Sequence, residues 1–224
     1  MPKSGGAKQT FAVIAGVIII CLVGAILAIQ YKKRGWPFRP EPPKDLQELI
    51  NNTPDGGIVR IPRYEYILKN GLKISGRNNL TIECEEGARI LVDDIYEDVI
   101  QISNSENIRI ENAYLRHVKP QWHESCQGSV VFITGSRGIK ILNCELNGCG
   151  RTGLCAYDCK DITLNFCIIQ RNSDVAISCE KCDGVKISNC TIQDNNDFNC
   201  MTKVTRLTWY ANTVRRNGRD RSSQ

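Results

Sequence analysis

The chain has 224 residues and a formal net charge of +5, a length that accommodates one domain with an appendage and leaves no room for two full domains. The excess charge lies wholly in Lys3, Lys8, Lys32, Lys33 and Arg34, so from Trp36 onward basic and acidic residues balance at 24 each. The sequence pI of about 8.6 therefore gives no ground for a nucleic-acid partner.

After a tail over residues 1–10, Phe11 to Ile29 runs 19 residues without a charge. As a helix that stretch measures roughly 28 Å, enough to cross a hydrocarbon core of about 30 Å. Gln30, Tyr31, Lys32, Lys33 and Arg34 follow with no small-residue cleavage site, which predicts an uncleaved single-pass transmembrane anchor over residues 11–31. Cys21 follows three isoleucines and lacks a lipoprotein context. Basic residues flank the span on both sides, so charge counting barely biases its orientation. Residues 32–43 form a basic, proline-rich linker (WPFRPEPP over 36–43) that holds the domain off the bilayer.

The domain is expected over residues 44–217, with a tail over 218–224. It opens on a short amphipathic helix, Asp45 to Ile50, stopped by Asn51, Asn52 and Pro54. Gly56-Gly57 turns the chain into a first strand at Ile58. Ile139-Lys-Ile141-Leu-Asn-Cys144-Glu-Leu146 then aligns with Ile162 to Ile169 and with Val185 to Ile192, each step 23 residues. Leu207 to Val214 follows at 22, Ile108 to Leu115 precedes at 31, and Leu80 lies a further 28 upstream. A second strand keeps step at Leu72, Ile100, Val131, Leu154 and Ile177. Alternating apolar residues in units this short cannot bury themselves, whereas stacked coils with strands about 4.8 Å apart can. Leucine-rich consensus spacing is absent, a sandwich would not keep the interval, and the apolar period of 2 excludes helical repeats. The fold class expected is all-β: a right-handed parallel β-helix solenoid with a short N-terminal capping helix, preceded by one transmembrane helix.

The repeats, the capping helix Leu46-Gln-Glu-Leu-Ile50 and the entry Pro54-x-Gly56-Gly57-x-Val59-x-Ile61-Pro62 resemble the pectin-lyase-like superfamily over essentially all of residues 44–217. Tyr64 departs from the glycine usual there. Asn212 stands where that family stacks asparagines, and Cys144, Cys167 and Cys190 fill the same column. The resemblance implies chemistry on acidic, uronate-type polysaccharides by lyases, glycosidases or epimerases. The signature motifs of polygalacturonases, pectate lyases and mannuronan epimerases are missing, and the same fold serves adhesins and structural spikes.

The irregular intervals are where chemistry can sit. Both insertions are expected in one turn, side by side on one flank. The earlier loop carries Asp93, Asp94, Glu97 and Asp98; the later carries His117, Trp122, His123 and Glu124, with Arg151 one coil on and Asp174 two coils on. Asp93, Asp94, His117, His123, Glu124 and Arg151 are the candidate catalytic residues, because glycoside chemistry needs paired carboxylates or a carboxylate with histidine. Trp122 is a candidate sugar platform and Asp174 a second substrate contact. No cofactor is expected, although Asp93 and Asp94 have the oxygen donors that Ca²⁺ takes. A solvated surface loop is the plainer reading of the same charges.

Eleven of the twelve cysteines lie beyond the span. Cys144, Cys167 and Cys190 share one column, Cys159 and Cys182 another, Cys126 and Cys149 a third, which predicts stacked buried thiols rather than disulfides. Cys155, Cys159, Cys179 and Cys182 have zinc-like spacing. However, Cys155 aligns with outward Phe132 and Cys179 with inward Ala156, which opposes a shared site. Sequons at Asn79 and Asn189 fall in expected strands. The expectation is a single-pass membrane protein, its domain extracytoplasmic, that binds or modifies carbohydrate through one flank. The rival is a non-catalytic structural or adhesive solenoid. Thiols favour a reducing side, and an open C-terminal coil favours a homo-oligomer.

Overall fold

The computed structural model describes residues 41–118, 127–148 and 151–218; the anchor over 11–31, together with Trp122, His123, Glu124, Cys126 and Cys149, lies outside them. Among the described residues no helix is long and apolar enough to cross a membrane.

The helix Leu46–Asn52 starts at Asp45, whose carboxylate accepts the Gln47 and Glu48 N–H groups at 2.7 and 3.1 Å, an N-cap that satisfies two otherwise orphan donors. Leu46 and Ile50 are buried over the first coil. Gln47 also exchanges two hydrogen bonds with the Lys73 backbone, at 2.7 and 2.9 Å. The helix thereby closes the open edge of a sheet as well as its core.

All strand pairing is parallel and builds three sheets of seven, seven and six strands. In the first sheet the inward column reads Val59, Ile82, Ile110, Ile141, Leu164, Ile187, Trp209. In the second it reads Tyr66, Ile90, Leu115, Leu146, Ile169, Ile192, Val214. In the third, Leu72, Ile100, Val131, Leu154 and Ile177 lead to Asn199. Most of these aliphatic side chains are fully buried, each contributing about 1.5–3 kcal/mol of transfer free energy. On the last coil Leu207 and Val214 are 45% and 42% exposed.

The registers correct where the insertions fall. Thr81 to Arg89 is eight residues where Arg109 to Tyr114 is five, so three extra residues lie between the first and second sheets. Arg89 to Ile100 is eleven where Glu145 to Leu154 is nine, and Tyr114 to Val131 is seventeen. Two extra residues of the earlier coil and all eight of the later therefore share the turn from the second sheet to the third.

Two further expectations change. Asn79 and Asn189 are not in strands but in turns, at φ +56° and +54°, a left-handed conformation that asparagine tolerates. The stacked asparagines are not confined to the column of Asn212, whose Oδ1 accepts the Cys190 N–H at 2.9 Å, but also form a ladder in the turn from the second sheet to the third. Asn195 Nδ2 donates to Asn217 Oδ1 at 2.9 Å, and Asn172 Nδ2 to Asn195 Oδ1 at 2.8 Å. The nine described cysteines are free thiols. Cys144, Cys167 and Cys190 are buried, each within hydrogen-bonding reach of a backbone carbonyl.

Candidate functional site

Alternation within the third sheet sends Gln101, Phe132, Cys155, Ser178 and Cys200 outward in one register. This column floors a groove of about 660 Å³. Tyr96 and Asp98, from the lengthened turn of the earlier coil, and Gln127 and Ser129, from the coil after it, line it as well. Arg151 and Asp174 stand on neighbouring coils, with Asp174 N–H donating to the Arg151 carbonyl at 2.9 Å and Asp197 N–H to the Asp174 carbonyl at 2.8 Å. Tyr96 adds an exposed aromatic ring at the rim.

Asp98 is the most perturbed acid of the groove. Its Oδ1 accepts the Ser129 N–H at 2.7 Å, yet burial dominates and raises its pKa above the usual carboxylate value. Arg151 Nε reaches Asp174 Oδ2 at 3.3 Å across an exposed pair, a weak interaction that salt screens. Burial pushes the Cys155 thiol up to about 11, with Asp98 raising it further and Arg151 opposing. That thiol is a poor nucleophile near neutral pH. Three aspartates against one arginine make the groove acidic.

The turn that carries Asp98 is held from within. His117 lies in the column of Leu68 and Val92 and is fully buried. Its Nε2–H donates to the Glu97 carbonyl at 2.8 Å, so the neutral ring carries its proton on Nε2. Burial lowers its pKa, and the ring faces the core, not the groove. On the next coil Gly128 packs directly on the same carbonyl, since a Cβ there would lie 2.0 Å from the Glu97 oxygen.

Of the residues singled out in the sequence, Arg151 and Asp174 line the groove and His117 supports it from beneath. Asp93 is exposed, and Asp94 accepts the Tyr96 N–H at 2.8 Å; neither lines the groove. Trp122, His123 and Glu124 lie outside the described residues. Asp98, Asp197 and Phe132 were missed. Asp197 had a signal, since Arg151, Asp174 and Asp197 are 23 residues apart in sequence. Cys155 and Cys179 face opposite sides of the third sheet, one partly exposed and one fully buried. Among the described residues no group of three or more His, Cys, Asp and Glu side chains is placed to hold a metal ion.

A three-sheeted parallel β-helix with a groove along one sheet defines the class of protein. The chain belongs to the right-handed β-helix family, whose "right handed beta helix region" matches residues 63–220, and its fold is that of the pectin-lyase-like superfamily. A proposed glycosyl hydrolase from Parabacteroides merdae is similar, with a TM-score of 0.53, 17% identity, and coverage of 72% of this chain and 84% of that one. A pectin methylesterase variant in complex with a hexasaccharide aligns at TM-score 0.49 and 16% identity, over 69% of this chain and 52% of that one. The first of these likenesses shows the fold. No curated protein sequence matches the chain.

Proposed function

We propose that the domain binds a glycan chain lengthwise in the groove of the third sheet. The observation that carries this reading is the groove's composition: Phe132 and Tyr96 beside Asp98, Arg151, Asp174 and Asp197 in one open channel. Aromatic faces take the C–H surface of a sugar while carboxylates accept its hydroxyls. That the structural neighbours include carbohydrate-active proteins on this fold supports it by analogy only.

The charge narrows the ligand. A uronate chain would meet three aspartates and one arginine, so it docks only with a bridging divalent cation, whereas a neutral chain needs none. Binding is favoured over catalysis by distance. Asp98 shares its column with Ser129, Thr152 and Val175, so it stands three coils from Asp174's level, roughly 14 Å at strand spacing. Glycosidic carboxylates work at about 5 to 10 Å. Among the described residues Asp174 and Asp197, one coil apart, are the only groove pair near enough, and hydrolysis through them is the second reading.

Residues 11–31 are proposed to anchor this domain, supported by 19 consecutive uncharged residues. The test of the groove is titration of neutral and uronate hexasaccharides, with and without Ca²⁺, against wild type and Asp98→Asn. Wild type should bind a neutral chain without Ca²⁺, and Asp98→Asn should weaken it several-fold. Uronate binding in EDTA that depends on no groove residue would overturn the reading. Turnover lost in Asp174→Asn and Asp197→Asn alike would establish the hydrolytic reading.

A further inference from the structure

We propose that a second groove, on the flank between the first and second sheets, binds a neutral sugar ring stacked on Phe166. This site shares no residue with the third-sheet groove.

Phe166 breaks a local pattern. On the coils around it, Asn112, Asn143 and Asn189 occupy the same turn position at φ +59°, +52° and +54°, with Ala211 there on the last coil at +53°, and Phe166 adopts +54° in turn. Asparagine relieves this conformation through local hydrogen bonds: Asn143 Nδ2 reaches Asn112 Oδ1 at 2.7 Å and Asn189 Nδ2 reaches Asn165 Oδ1 at 2.9 Å. A phenyl ring has no such bond to offer, and Phe166 leaves 62% of its surface exposed. Among the described positive-φ residues Phe166 is the one aromatic, and a large ring left exposed in a left-handed turn fits a residue kept for contact.

The ring lies beside a groove of about 540 Å³, within the range of ligand sites. Its far wall is the turn Glu85–Ala88, made by the three extra residues of the second coil. That wall is braced by Glu85, whose carboxylate accepts the Arg63 N–H at 2.9 Å. Tyr114 and Ile168 extend the apolar surface. Tyr114 is fixed by the Arg89 guanidinium 4.6 Å from its ring centre and by a 3.0 Å hydrogen bond from Asn147.

Charge selects the occupant. The lining itself carries Glu86 and Glu145 and no Lys or Arg. Of the two arginines that abut it, Arg89 is engaged by Glu65 at 2.8 Å and by the Tyr114 ring, and Arg63 lies behind Gly87. An anionic sugar is repelled, and a neutral ring can stack on Phe166 while its hydroxyls reach the Asn143 amide and the two carboxylates. The strands of the second sheet here are hydrogen-bonded on both sides, so an extended peptide finds no edge to join.

The full-length protein in detergent, with ¹³C-methyl isoleucine, is titrated with cellohexaose, mannohexaose, chitohexaose and trigalacturonate. At least one neutral hexaose should shift the Ile168 methyl, which reports this groove and not the third sheet. Phe166→Ala should weaken that binding roughly five- to tenfold, and Phe166→Tyr should keep it. Phe166→Asn should lose binding while raising the melting temperature, because asparagine relieves the left-handed turn. No Ile168 shift with any neutral hexaose, stronger binding of trigalacturonate, or undiminished binding by Phe166→Asn would overturn the proposal. Loss of glycan binding at the third sheet alone would leave the Ile168 response intact and so fail separately.

Discussion

His117 ties a buried titration to the shape of the groove, and its effect on stability can be worked out in advance. An imidazole in the unfolded chain titrates near 6.5. In the folded chain burial lowers that value, so between the two the unfolded state binds the proton and the folded state does not. Stability is therefore present above about pH 6.5 and declines as the pH falls toward the folded value. Moving from pH 7.5 to 5.5 takes the unfolded imidazole from mostly neutral to mostly charged, which favours unfolding by at most about 1.4 kcal/mol, reached when the folded ring stays neutral throughout. His117→Leu keeps the side chain apolar beside Leu68 and Val92 and removes the titration. The lost hydrogen bond to the Glu97 carbonyl lowers its stability equally at both pH values. Urea unfolding of wild type and variant at both pH values isolates the term, because every other group cancels in the double difference. Wild type should lose more stability than the variant, by up to about 1.4 kcal/mol. Equal pH dependence would mean that His117 meets solvent, and would return it to the candidate bases.

Three further outcomes follow from the packing. Ile141 is fully buried between Ile110 and Leu164, so Ile141→Ala should cost about 2–5 kcal/mol in the same urea assay; exposed Lys140→Ala should stay within about 0.5 kcal/mol. Gly128→Ala drives a Cβ to 2.0 Å from the Glu97 carbonyl oxygen, which must push back the turn carrying Asp98. It should cost about 1–3 kcal/mol and weaken glycan binding, and a wild-type affinity would show that the turn does not shape the groove. Cys200 is exposed whereas Cys159, Cys167 and Cys179 are buried. An impermeant maleimide should modify Cys200 on intact cells, and modification only after lysis would place the domain on the other side of the membrane.

The solenoid was legible because one physical constraint repeats: each coil must place its apolar residues where its neighbours place theirs. That fixed the 23-residue interval at Ile141, Leu164 and Ile187, which the registers reproduce. The insertions were less legible, since an interval between repeats gives total length and not its division between turns. The three residues at Glu85–Ala88 were thus assigned to the wrong flank. His117 was misread for a different reason. Tyr114-Leu115-Arg116-His117 alternates out and in, and the strand runs to His117; proximity to a long loop outweighed that period. Asp98 was legible as one acid of the earlier loop, but not its hydrogen bond to the Ser129 N–H, which comes from the next coil, three strands further along the chain.

The most direct test of the groove is protection of its own thiols. Cys155 and Cys200 lie in its floor, on either side of Ser178. A saturating neutral hexasaccharide should slow maleimide modification of Cys200 several-fold in the full-length protein, and Arg151→Ala with Asp174→Ala should abolish that protection. Cys200 labelled at the same rate with and without a hexasaccharide that binds the protein would place the glycan elsewhere and contradict the account.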